Sequence, residues 1–239
     1  MNVIESSLKR VICNKVFQFL MEIVNSMSHF EDDLRDSEVI AKFLDENLYP
    51  HIDFEIERID DGDLQHAGVD VIATSPDGQE LLIDEKAQTS YINDPRPTFI
   101  LELSYMMDGS RRIGWFYDSS KETGSYLFVW IPEANTDSPT DPGEINRIYC
   151  LLIHRSTLLT YLGSEGFDRD RVLSRERSIR KSGEAGRIGT GRDDVYFFYS
   201  QHLDEEPVNL VMKYHLLHEL CEASWEITHE SVDSGVYLF

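Results

Sequence analysis

The sequence predicts an α/β fold, a central mixed β-sheet flanked by helices, built as one domain over 1–239. Three observations lead there. Apolar residues recur at helical spacing near the N-terminus, three strand-like segments follow in succession, and strands and helices then mix to the C-terminus. A chain of 239 residues can bury a substantial core within a single domain.

Each element has its own local reason. Residues 5–30 read as a helix because Ile12, Val16, Phe19, Leu20 and Ile23 share its period. Glu5 and Lys15 interrupt that apolar stretch and no small-residue cleavage site follows, so it reads as amphipathic and not as a signal peptide. Residues 36–48 read as a second helix, ended by Pro50. His51–Arg58 alternates, with Ile52, Phe54 and Ile56 on one face and Asp53, Glu55 and Glu57 on the other, as a half-buried strand does. Two short strands joined by a turn fill Gly68–Gln88. Thr98–Met106 is an apolar run that fits a strand or the start of a helix. Ser125–Ile131 reads as a core strand, Asn135–Gly143 as a loop, and Ile145–His154 as a strand before a short helix over Ser156–Leu162. Asp194–Ser200 reads as a strand, and Val208–Glu226 turns from strand to helix near Tyr214.

Composition narrows the function classes. No apolar run reaches membrane-spanning length. Cys13, Cys150 and Cys221 are scattered and odd in number, which fits buried free thiols in a reducing cytoplasm. The net charge of −22 opposes simple backbone binding to nucleic acid. Its distribution is uneven, however. The segment 166–192 carries eight basic residues against four acidic ones, a local +4 in a chain that is otherwise −26. Arg175, Arg177, Arg180 and Lys181 lie in it and form a candidate nucleic-acid-binding patch on a glycine-containing, mobile arm; a solvated helix and loop of mixed charge is the alternative. A high-salt habitat would also account for abundant acids and scarce lysine.

The stretch GVDVIATSPDGQELLIDEKAQ carries the chemistry. Val69, Val71, Ile72 and Ala73 favour one strand, and Leu81, Leu82 and Ile83 the next. Pro76-Asp77-Gly78 suits the turn between them. A three-residue loop there places Ser75 opposite Gln79, and therefore Asp70 opposite Asp84. Asp84, Lys86 and Gln88 then share a face with Asp70, and Glu85 points the other way. A two-residue loop over Asp77-Gly78 would instead oppose Asp70 to Glu85. Two opposed carboxylates repel, and a divalent cation between them relieves that cost.

Asp70, Asp84 and Lys86 resemble the D…(D/E)-x-K pattern of the PD-(D/E)XK nuclease superfamily, over about residues 36–131. Val69 stands where the motif's proline would be. The resemblance implies a restriction-endonuclease-like fold and cleavage of DNA. It implies that Asp70, Asp84 and the Glu85 backbone carbonyl hold Mg²⁺ or Mn²⁺, and that Asp70, Asp84 and Lys86 are catalytic. Lys86 would either stabilise charge on the phosphate or act as a general base. Double-strand cleavage would call for a symmetric dimer or a partner subunit. A binding module or subunit on the same fold, with an acidic surface for a basic partner, is the competing reading.

Other candidates are peripheral. Glu55 is a possible further acid, ahead of Glu38 and Glu46, and Gln88 a possible phosphate contact. Trp115 suits base stacking or the core. His215–Glu222 superficially suggests zinc, but Glu222 stands where HExxH needs its second histidine.

Overall fold

The computed structural model describes residues 35–60 and 62–239. The expected helix over 5–30 and Cys13 lie outside the described residues. The chain is an α/β protein with two sheets and flanking helices. A helix over 35–47 (α1) precedes β1 (Glu55–Arg58), α2 (Gly62–His66), β2 (Val71–Thr74) and β3 (Glu80–Ala87). Then come β4 (Thr98–Met107), β5 (Ser110–Ile113), β6 (Ser125–Ala134), β7 (Ile145–His154), α3 (Arg155–Ser164) and α4 (Arg169–Ser182). The chain closes with β8 (Gly186–Ile188), β9 (Val195–Tyr199), β10 (Val208–Lys213), α5 (Tyr214–Leu220), β11 (Ala223–Ile227) and β12 (Val232–Ser234).

The larger sheet is mixed, seven strands in the order β1-β2-β3-β6-β7-β11-β12. Among the described residues only β3 and β6 pair in parallel in this sheet. A parallel pair needs a crossover, usually a helix. Here the crossover carries β4 and β5, which join β10, β9 and β8 in a second, antiparallel sheet of order β5-β4-β10-β9-β8. The expected mixed sheet with flanking helices is present, and a second sheet, which was not expected, accompanies it. The second sheet packs on one face of the mixed sheet, with α3, α4 and α5 around it.

Strand β6 shows how the faces divide. Its residues 125–131 are all buried, as expected of a strand covered on both sides. Leu127, Val129 and Ile131 pack with Val39, Ile40, Phe43 and Leu44 of α1. Tyr126, Phe128 and Trp130 pack with Leu101, Leu103, Phe197 and Leu210 of the second sheet.

Two sequence readings need correction. The strand expected over His51–Arg58 begins only at Glu55, because Pro50 starts a 3-10 turn over Tyr49–His51 and Ile52 N–H donates to the Tyr49 carbonyl at 3.4 Å. Phe54 is left exposed. The segment 166–192, read as a mobile arm, takes regular structure. Asp168 caps α4 by accepting from Arg171 N–H at 3.1 Å, and Gly183 ends it in the left-handed region at φ 69°. The helix is fixed by Glu176, which is fully buried and accepts from Arg111 Nη2 at 2.6 Å, Arg180 Nε at 2.6 Å and Ser104 Oγ at 2.5 Å.

Among the described residues no helix is long and apolar enough to cross a membrane. Cys150 is buried and Cys221 half-buried, both as free thiols.

Burial opposes ionisation of Glu176, but hydrogen bonds from Arg111, Ser104 and Arg180 outweigh it and hold the carboxyl below the usual glutamate range. Glu176→Ala should therefore cost roughly 3–5 kcal/mol, the usual penalty for breaking a buried pair. Urea melts against pH should show the full gap above the unfolded glutamate pKa of about 4.3, closing as pH falls through the lower folded value. Equal stability of variant and wild type at neutral pH would contradict this account.

Candidate active site

The hairpin folds with the three-residue loop. Ser75 N–H donates to the Gln79 carbonyl at 2.9 Å, Gly78 N–H donates to the Ser75 carbonyl at 2.8 Å, and Gly78 takes φ 83°. Val71 pairs with Ile83, so the register carried back one residue sets Asp70 opposite Asp84. The strand itself begins at Val71, and Asp70 sits just before it.

The predicted trio is brought together. Asp84 is only 2% exposed, at the floor of the site. Lys86 Nζ donates to Asp84 Oδ1 and lies 5.4 Å from the Trp115 ring centroid. Glu85 N–H donates to Asp70 Oδ2 at 2.8 Å, which turns the Asp70 carboxylate across the end of β2 toward β3. Burial pushes the Asp84 carboxyl up to about 6; the Lys86 charge opposes this, and the charge and hydrogen bonding of Asp70 add to it. Asp70 and Asp84 thus form an interacting pair, as like charges on one face must.

The Glu85 side chain points away, toward α1. It accepts from Arg58 Nη1 at 2.9 Å and Tyr49 Oη at 2.5 Å, while Arg58 also pairs with Asp45 at 2.7 Å. Burial raises its carboxyl, and the Arg58 hydrogen bonds and charge counteract that. Only the Glu85 carbonyl is placed to serve the site, since within a strand it leans to the same edge as its own N–H.

Four further groups complete the site. Gly68 has φ 77°, and a Cβ there would come within 2.6 Å of Thr123 Oγ1 and 3.4 Å of Asp84 Oδ2. A glycine at 68 therefore lets the 121–123 loop close over Asp84. Lys121 packs against the same glycine and donates to the His66 carbonyl at 2.5 Å. Glu102 of β4 is pushed up to about 7 by burial; Glu205 adds to that, and Lys86 and Lys121 oppose it. A lone acid inside the apolar run Thr98–Met106 was the signal for Glu102. Lys121 and Thr123 had none, because the fold delivers them from a separate loop.

The remaining candidates fall elsewhere. Glu55 is exposed and pairs with Thr74, four residues along β2 from Asp70 and so about 13 Å away. Glu38 and Glu46 are exposed on α1, beyond the opposite face of β3. Gln88 shares the Asp84 face, but its amide is occupied. It donates to the Thr98 carbonyl at 2.5 Å and accepts from Arg96 N–H at 3.0 Å, which pins the turn into β4. Arg180 is held by Glu176 and Ser104, so it is not part of an exposed basic patch. Arg175, Arg177 and Lys181 are exposed on α4. Trp115 is half-buried against Tyr126, at 5.1 Å between centroids, and serves both core and site. The zinc-like run is dispersed, since α5 ends at Leu220, His215 faces Asp194 at 3.4 Å and His218 packs on Tyr237. Among the described residues no three or more His, Cys, Asp or Glu side chains cluster to hold a metal. No protein-family model, curated protein or solved structure matches the chain.

Because the Asp84 carboxyl is raised when folded, the folded protein holds its proton more tightly than the unfolded chain does. Ionising it costs stability progressively from about pH 4 to about pH 6. In the presence of a chelator, Asp84→Asn should be more stable than wild type at pH 8, by roughly 2–3 kcal/mol, with the advantage gone below about pH 4. Thermal melts at the two pH values check this; a variant less stable than wild type at pH 8 would refute it.

Proposed function

We propose that the chain is a Mg²⁺- or Mn²⁺-dependent endonuclease that hydrolyses phosphodiester bonds in DNA, with a restriction-endonuclease-like core. The observation that carries this reading is the shared face of Asp70, Asp84 and Lys86 on one hairpin. The order α1, then an antiparallel β1-β2-β3 meander, then β6 parallel to β3 supports it as well.

The donor set fits the ion. Asp70, Asp84 and the Glu85 carbonyl offer oxygen alone, which suits a hard cation that keeps some of its waters. The Asp84 carboxyl is raised first by burial and then by the Asp70 charge, and a bound cation would offset both. When bound, Mg²⁺ supplies polarisation of a phosphoryl oxygen and a more acidic water.

The chain's own groups have separable tasks. Asp70 is held in place by Glu85 N–H, so its lone pairs are already oriented. Lys86 is drawn toward Asp84 and lies within the field of Glu102, so its ammonium stays at the mouth of the site. There it can bond a non-bridging phosphate oxygen as negative charge grows. Trp115 beside it excludes water from one flank.

One observation favours a second reading. A net charge of −22 suits a protein that recruits a basic partner by its acidic surface, on the same fold and without catalysis.

Incubation with plasmid, linear duplex and single-stranded DNA, with Mg²⁺, with Mn²⁺ and with EDTA, separates the two. Cleavage should require the metal and fall at least about 100-fold in Asp70→Ala, Asp84→Ala and Lys86→Ala, with circular dichroism unchanged. Undiminished cutting by purified Asp84→Ala protein would remove the nuclease reading. Absence of cutting by the wild type, together with salt-sensitive binding to a basic protein, would establish the second.

A further inference from the structure

The face of β3 that bears Asp84 and Lys86 continues into a groove. Gln88 bonds to the start of β4, and the charge of Lys86 acts on Glu102 further along that strand. Thr98, Ile100 and Glu102 alternate with the core residues Phe99, Leu101 and Leu103, so they line the outer side of the second sheet. Ile100 pairs with Val211, and Val211 with Tyr196, which extends the same side across three strands. The groove there has a cavity volume of about 510 Å³ between this sheet and the turn after β3.

Its lining is aromatic and carries one cation. The chain holds 44 acidic residues, yet among the described residues no acid lines this groove, and Arg96 is the one charged residue that does. Aromatic rings line it: Tyr91, which is 38% exposed, Tyr196 and Phe198. Ile100 is 43% exposed between them. Guanidinium groups flank the rings, Arg96 at 4.9 Å from the Tyr91 centroid and Arg187 at 4.1 Å from that of Tyr196. Asp94 pairs with Arg96 at 3.0 Å from outside the groove, at 74% exposure, where a phosphate would compete for it. Arg187 donates to the Asp193 backbone carbonyl.

We propose that this groove seats an unpaired strand of nucleic acid, its bases on the aromatic rings and its phosphates against Arg96 and Arg187, leading toward Asp84 and Lys86. Aromatic rings beside arginines, with no acid among the described lining residues and one exposed acid on Arg96, match the two needs of a single strand: a stacking surface for any base and local positive charge for its backbone. A duplex hides its base faces and would gain little from such a groove. The inference rests on the nuclease reading only for the direction of the strand toward the site; seating of the strand stands on the groove itself.

The test is fluorescence anisotropy with a labelled single-stranded oligodeoxynucleotide and with its duplex, in EDTA so that nothing is cut. The single strand should bind more tightly than the duplex. Tyr91→Ala and Tyr196→Ala should each weaken it by roughly 5- to 150-fold, as loss of one stacked base does, while Tyr196→Phe retains binding. Equal affinity for the duplex, no binding of the strand, or wild-type affinity in Tyr196→Ala protein with an unchanged melt would overturn the proposal. A companion cleavage assay in Mg²⁺ keeps the two readings apart. Single-strand binding that Tyr196→Ala weakens, without any cleavage, supports the groove and defeats the nuclease. Cleavage with undiminished binding by Tyr196→Ala supports the nuclease and defeats the groove.

Discussion

Two carboxyl groups on one face of a hairpin repel each other, and the surroundings of Asp70 and Asp84 are arranged around that repulsion. It is tolerated because each group has a separate anchor. Asp70 takes a backbone N–H from Glu85, and Asp84 takes the Lys86 ammonium. Burial then makes the arrangement costly, since Asp84 at 2% exposure has lost nearly all its water. A core built for stability alone would have placed an apolar residue there, as Ile83 one position earlier shows. Retaining an acid in that position is the pattern of a site built for a ligand.

The opposite face of the same strand shows what a structural ionic cluster looks like. Glu85, Arg58, Asp45 and Tyr49 satisfy one another completely and tie β1 and β3 to α1. Glu176 does the same for the second sheet through Arg111, Arg180 and Ser104. In both clusters arginines meet the carboxylate with good hydrogen-bond geometry, which repays the desolvation. The Asp70–Asp84 pair differs in that its two carboxyl groups act directly on each other, and Asp84 meets a lysine and no arginine.

Much of this was legible because the relevant signals are short-ranged. Pro76 and Gly78 fixed the loop length, the loop length fixed the register, and alternation then assigned Asp84 and Glu85 to opposite faces. The strand Ile145–His154 and the switch at Tyr214 followed from local pattern in the same way. What could not be read depends on distant contacts. Nothing near Thr98–Met107 says that it leaves the main sheet to found a second one. Lys121 and Thr123 reach Asp84 only because Gly68 permits the approach. Arg180 looked like part of a basic patch until Glu176, one turn earlier, met it in the interior. Ile52 and Phe54 alternated with polar residues as a strand would, yet the turn begun by Pro50 held them out of the sheet.

The distribution of arginine bears on how so acidic a chain could approach nucleic acid. Arg58, Arg111 and Arg180 are consumed by buried or half-buried carboxylates and add nothing to the outer field. Long-range attraction of a duplex backbone is therefore weak, and counterion release, which normally dominates such binding, has few cations to draw on. Contacts that act at short range are not subject to that limit. Stacking depends on ring area, and a cation held between two carboxylates neutralises phosphate only where it is held. On the proposed reading, a chain at −22 with an aromatic groove that no described acid lines and a paired-carboxylate site concentrates its affinity in those two places. On this account the surrounding negative charge works as a filter. It repels a duplex, whose bases are hidden, and leaves an unpaired strand the contacts needed to overcome the repulsion.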